Sequence, residues 1–355
     1  MWRVIAINAL ILAVLLVCLE AMLAWLVARD SPTGIRAVDR LARKIYWANV
    51  SYVQYLPDCA RYDSELTYTL QPGNCTFENT GFSTELVVNS AGYRDDEASL
   101  DAPEIVVLGD SQAMGWGVGQ GMTFADVIEA ETGRKTLNTG VSSYGTVREL
   151  MTLDRLDRSN LKTVIVQYSD NDGYENRRYL HDGKLSAMSQ DTYAKLVAGN
   201  EGTGGGFGHY LPAFLNELRW RFIGGEDGED EQYDLQMADL SGPDVLIEVL
   251  ADWDWGPTPP HLIVFDVNTS GRGGRFTEVL ATSPGLDLLR SKVSDVTILH
   301  TPDILEAEDY LFPDGHLSET GHQKLAGAIV EVVAQNRVSR MNNVRGTPYI
   351  NTNTD

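Results

Sequence analysis

Five short runs, EIVVLG (104–109), KTLNTG (135–140), TVIVQY (163–168), HLIVFDV (261–267) and VTILH (296–300), are mostly apolar or β-branched, with helical stretches between them. A strand that is apolar on both faces must be covered on both faces, which a half-wet antiparallel sheet does not offer. The runs therefore predict a parallel sheet. Stretches 123–132, 146–158 and 318–336 supply helical cover; in the last, Leu325, Ile329, Val332 and Val333 share one face. With right-handed crossovers the expected fold class is α/β, a three-layer α/β/α sandwich on a mainly parallel five-stranded sheet.

From Val4 to Ala28 the chain is almost wholly apolar, broken only by Asn8 and Glu20. At about 1.5 Å rise per residue this run spans a bilayer as a helix. A cleaved signal peptide would usually have a shorter apolar core, and no small-x-small cleavage site precedes Arg29, so an uncleaved anchor is expected. Cys18 lacks the small residue expected before a lipidated cysteine and reads as inert. The following segment, RAVDRLARKIYWANV, reads as an amphipathic helix near the headgroups.

Topology is contested. Arg29, Arg36, Arg40, Arg43 and Lys44 follow the apolar run, which favours a cytoplasmic domain. Cys59 and Cys75 flank a polar segment with Pro72 and Gly73, where either a disulfide in an oxidising compartment or two unrelated thiols would sit. The disulfide reading places the domain on the exported, periplasmic side of an inner membrane. Acidic residues outnumber basic ones 50 to 28. Such a surface repels a phosphate backbone, which excludes nucleic acid as a partner.

These breaks divide the chain into an anchor (1–29), a juxtamembrane helix with a strand-rich lead-in (30–100), a main domain (101–337) and a polar tail (338–355) expected to be disordered. The main domain carries an insertion at 180–258. The insertion holds GTGGGFG, which lacks the Lys-Ser/Thr of a phosphate loop and reads as linker, and the acid run EDGEDE (226–231), which reads as solvated surface. Trp253 and Trp255 could stack on sugar rings or pack on the domain.

In an open parallel sheet, chemistry collects beyond the carboxyl ends of the strands. After the first run comes Gly109-Asp110-Ser111, after the second NTGVSSYGT with Gly140, after the third SDNDGYEN with Asn171, and ahead of the last helix FPDGHLSETGH with Asp314 and His316. Taken singly, Ser111 reads as a helix cap and Gly140, Asn171 and Asp314 as turn formers. Together they supply the parts of acyl transfer: a hydroxyl, an imidazole to remove its proton, a carboxylate to orient the imidazole, and amides to hold an oxyanion. No Cys/His cluster suggests a metal, and the set needs no cofactor.

Four blocks, VVLGDSQAMGWGV, LNTGVSSYGT, IVQYSDNDGYEN and FPDGHLSETGH, resemble the serine, glycine, asparagine and histidine blocks of the GDSL, or SGNH, hydrolases. The likeness covers residues 100 to 336, and VVNSAGYRDDE (87–97) resembles the lead-in of membrane-anchored members. The resemblance implies Ser111 as nucleophile, His316 as general base and Asp314 as its partner, with the Ser111 N–H, the Gly140 N–H and the Asn171 side chain as oxyanion donors. Two departures stand out: Ser169 occupies a position where glycine often opens the asparagine block, and Asp314 precedes His316 by two residues where three is commoner. Of the other histidines, His322 should lie inside the helix, His300 ends a strand, and His181, His209 and His261 have no supporting context. The resemblance implies an anchored serine esterase removing short acyl groups, acetyl above all, from an envelope or extracellular carbohydrate. The alternatives are O-acyl transfer to a polysaccharide from the same acyl-serine, or a catalytically silent envelope-binding protein.

Overall fold

The structure, a computed structural model, describes residues 1–200, 206–223, 242–268 and 275–345. Helix α1, Trp2–Val27, is long and apolar enough to cross a membrane. It is followed by α2 (Arg36–Trp47) and by two antiparallel hairpins, β1 (Ala60–Asp63) with β2 (Thr67–Leu70) and β3 (Gly73–Asn79) with β4 (Phe82–Val88). Cys59 and Cys75 are joined as a disulfide that ties the two hairpins together.

The main sheet has the expected five strands, β5 (Ile105–Leu108), β6 (Thr136–Asn138), β7 (Thr163–Tyr168), β8 (His261–Asp266) and β9 (Asp295–Ile298), all parallel in the order β6-β5-β7-β8-β9. The period of two sorts their side chains to two cores. Val106, Leu108, Val164, Val166, Leu262 and Val264 face one way, onto Leu150, Leu246 and Leu250. Ile105, Val107, Ile165, Ile263 and Phe265 face the other, onto Phe124, Ile128, Leu325 and Ile329. Each such side chain stabilises the fold by about 1.5–3 kcal/mol on full burial.

The covering helices include α3 (Ser111–Met114), α4 (Phe124–Thr132), α5 (Thr146–Leu153) and α6 (Asp172–Asp182). Helix α5 stops short of the expected 158, where Arg155 turns out to a bidentate pair with Asp63 at 2.8 and 3.0 Å. The C-terminal helix, Glu319–Arg345, continues past 337 into the stretch expected to be a disordered tail; residues 346–355 lie outside the described residues.

Within 180–258 the structure holds α7 (Gln190–Asn200), α8 (Tyr210–Ile223) and α9 (Gly242–Asp252). The acid run 226–231 and most of the glycine run lie outside the described residues. Trp255 is buried and its Nε1 donates to the Leu250 carbonyl at 2.9 Å, so it packs rather than presents a free ring.

The N-terminal elements do not stand apart from the domain. Glu20 of α1 accepts from the backbone N–H groups of Gly208, Tyr210 and Leu211 at 2.6, 3.2 and 2.6 Å, capping the start of α8. Leu23, Val27, Ile45, Tyr46, Phe77 and Leu86 form a third core that includes Met114 and Trp116 of the serine block. The second helix, expected at the headgroups, thus buries its Ile45 and Tyr46 against the domain.

Candidate active site

Ser111 stands at the first position of α3, immediately beyond β5. Only glycine fits at 109, where a Cβ would lie 2.5 Å from Gln167 Oε1 and 2.6 Å from the Ala113 Cβ. Gln167, in β7, fixes the turn: its Oε1 accepts from the N–H of Asp110 and of Ala113 at 3.1 and 3.3 Å. Asp110 caps α3 through Gln112 N–H at 3.0 Å. Arg94 of the lead-in, 1% exposed, donates to the carbonyls of Met114 and Val118 at 3.1 and 2.7 Å and pins the chain that follows the serine.

The Ser111 hydroxyl lies 2.7 Å from His316 Nε2, although 205 positions separate them. Gln112 helps to hold the two loops together, its Oε1 accepting from the Leu317 N–H at 2.9 Å. On the far side of the ring, His316 Nδ1 is hydrogen bonded to Asp314 Oδ1, and the His316 backbone N–H reaches the same oxygen at 3.0 Å. The two-residue spacing therefore lets the carboxylate reach the imidazole. Burial would raise the Asp314 carboxyl, but the His316 charge and the hydrogen bonds from His316 and Tyr46 outweigh it and hold it below the usual carboxylate range. A carboxylate on Nδ1 selects the tautomer with its proton there, leaving Nε2 free to accept the serine proton.

His322 is engaged elsewhere. Its Nδ1 accepts from the Phe124 N–H at 3.0 Å, and burial, with the charges of Arg94 and His316, pushes it down to about 3. The loop position in question at Ser169 is satisfied: its hydroxyl donates to the Val267 carbonyl at 2.8 Å and accepts from Gln167 Nε2 at 2.9 Å.

The oxyanion donors are only partly as expected. The Ser111 N–H has no acceptor among the described residues, and the Asn171 Nδ2 makes one long contact, 3.5 Å to the Tyr144 carbonyl. The Gly140 N–H, by contrast, donates to Asn138 Oδ1 at 3.0 Å. That glycine has a steric reason instead: a Cβ there would lie 2.4 Å from the Met114 nitrogen, so its absence lets the loop after β6 press onto α3. In the same loop Ser143 adopts φ +60, its carbonyl held by Arg148 Nη2 at 2.5 Å and its hydroxyl by Gln54 Nε2 at 3.0 Å. Beside this loop opens a cleft of about 460 Å³ whose walls include Tyr55, Tyr68, Ser143, Arg148, Tyr174 and Glu175.

Sequence reasoning passed over the aromatic and polar residues that hold this geometry. The Trp116 indole lies over the His316 ring and its Nε1 donates to Asp314 Oδ2 at 2.9 Å. Tyr46 donates to the same oxygen, and Trp47 Nε1 donates to the Asp314 carbonyl at 3.2 Å. The aromatic-rich blocks GWG and YW were the available signal. Ser111, Asp314 and His316 are 8%, 3% and 2% exposed, so the site is sheltered from bulk water.

No protein-family model and no curated protein match the chain. Solved structures similar to it include one described as a lipolytic protein of the G-D-S-L family from Desulfitobacterium hafniense, at 10% identity and TM-score 0.33, covering 64% of this chain and 98% of that one. Another, described as a GDSL-like lipase from Bacteroides ovatus, matches at 14% identity and TM-score 0.35 over 66% of this chain and 53% of that one. An SGNH-hydrolase family esterase matches at 17% identity and TM-score 0.25 over 66% and 97%. Likeness at this level carries no argument about activity, which rests on the geometry alone.

Proposed function

We propose that the chain is a serine ester hydrolase in which Ser111 attacks an acyl carbonyl, His316 takes the serine proton and Asp314 orients the imidazole. The single observation that carries this reading is the unbroken chain of contacts from Ser111 Oγ through His316 to the Asp314 carboxylate. The acyl-serine forms as the alcohol leaves with the proton from Nε2, and water, deprotonated in turn by His316, releases the acid. The Ser111 N–H and the Asn171 amide hold the oxyanion.

The substrate class is a carbohydrate carrying short acyl groups. The cleft beside the loop after β6 supports this, since it combines tyrosine rings with Arg148 and Glu175, the mix of flat apolar and charged groups that grips a polyol. The disulfide supports an oxidising compartment and hence an exported domain held to the membrane by α1. Ser111→Ala is expected to abolish hydrolysis of a small acetyl ester with the fold intact; equal turnover by the variant contradicts the proposal.

One observation favours a second reading, O-acyl transfer: a site this sheltered limits the access of water to the acyl-serine. Product analysis with and without a polysaccharide acceptor separates the two, because a transferase makes acylated polysaccharide and little free acid.

A further inference from the structure

Asp314 is gripped from the juxtamembrane helix. Tyr46 and Trp47 end α2, and they reach the Asp314 Oδ2 and main-chain carbonyl across 268 and 267 positions of sequence. Arg43, one turn earlier, stands 5.3 Å over the Phe312 ring, just ahead of the same loop. With Tyr46 in place each Asp314 oxygen takes two donors, the His316 ring and N–H on Oδ1 and the Tyr46 hydroxyl and Trp116 indole on Oδ2. A carboxylate held at both oxygens cannot rotate away from the imidazole. Tyr46 is itself 2% exposed, and burial followed by the Asp314 charge drives its phenol far above the ordinary range, so it remains a donor.

We propose that Tyr46 is a positioning residue for the Ser111–His316–Asp314 site, which makes the helix next to the membrane anchor a working part of that site rather than a spacer. The inference rests on the esterase reading above. The donor on Oδ2 draws negative charge away from the oxygen that faces His316, so its removal leaves a carboxylate that favours the imidazolium more strongly. The other ionisable groups that act on the ring are Asp110 on the serine loop and His322 on the last helix, with Arg94 of the lead-in acting on His322 and Arg43 on α2 beside Pro313; none is altered by the change.

The test is Tyr46→Phe in the full-length chain, which keeps the ring and loses only the hydroxyl. Loss of one hydrogen bond to a charged group is expected to lower kcat about 10- to 100-fold. KM should be unchanged, and the acid limb of kcat/KM should move to higher pH. Site-specific 3-fluorotyrosine at 46, a stronger donor of the same shape, should move that limb to lower pH, which keeps the proposal testable if the phenylalanine variant does not fold. Wild-type kcat and an unmoved limb in Tyr46→Phe, with wild-type activity dependent on Ser111, would overturn the Tyr46 proposal alone. If the wild-type protein has no Ser111-dependent activity, the esterase reading falls and this proposal with it.

Discussion

The indole of Trp116 lies parallel to the His316 imidazole, with ring centroids 4.8 Å apart and an interplanar angle of 12°. Phe77 of the β3–β4 hairpin packs edge-on to the same indole at 4.6 Å, so the lead-in sets the plane in which the imidazole is held. Replacing Trp116 with phenylalanine keeps an aromatic face but removes the Nε1 donor from Asp314. Hydrolysis of a small ester should then fall roughly ten-fold in kcat, the effect of one lost bond to a buried carboxylate.

Gln167 braces the serine turn from behind. Gln167→Leu leaves the buried N–H groups of Asp110 and Ala113 without their acceptor, at about 1–3 kcal/mol each. Chemical denaturation should show that loss of stability, and kcat should drop because the turn carrying Ser111 is no longer fixed. An unchanged midpoint would mean that the turn holds without the glutamine.

The Cys59–Cys75 disulfide closes a short loop at a sequence separation of 16. Its reduction, or the double change Cys59→Ala and Cys75→Ala, should cost about 3 kcal/mol on the chain-entropy view. Because the third core joins the hairpins to Trp116, activity should be lost at a lower temperature than in the oxidised protein. A reducing agent that leaves the melting temperature unmoved would contradict this.

Glu149 is 1% exposed, and neither carboxyl oxygen has a hydrogen-bond partner among the described residues. Burial, followed by the negative charges of Asp172, Asp110 and Glu175, holds its carboxyl well above the usual range. The folded state therefore favours the protonated form. Its contribution to stability is full below the unfolded value of about 4.3 and is lost as pH rises toward the raised folded value. Glu149→Gln is neutral at every pH, so its melting temperature relative to wild type should climb between pH 4 and pH 8; a constant difference would refute this account of Glu149.

What could be read from the sequence follows from distance along the chain. The strands were legible because TVIVQY and HLIVFD are apolar on both faces, a local property that only a covered parallel sheet explains. Ser111, Asp314 and His316 were legible because each sits at a strand or helix boundary in a recognisable block. The bracing of Asp314 was not, since Tyr46 and Trp47 belong to a segment whose charge pattern reads as an interfacial helix, and nothing local tells which face it buries. Gly140 was less legible for a similar reason: a glycine in a loop is equally consistent with an offered N–H and with a close approach, and the contact to Met114 that shows the close approach is long-range.

The central claim is that His316 activates the Ser111 hydroxyl. A serine-directed fluorophosphonate reacts only with such a hydroxyl, so mass spectrometry of the labelled full-length chain tests it most directly. The account predicts a single adduct on Ser111, with labelling at least about a hundred-fold slower in His316→Ala, as expected when a general base is removed. Labelling of His316→Ala at the wild-type rate, or no adduct on Ser111 in the wild-type protein, would contradict it.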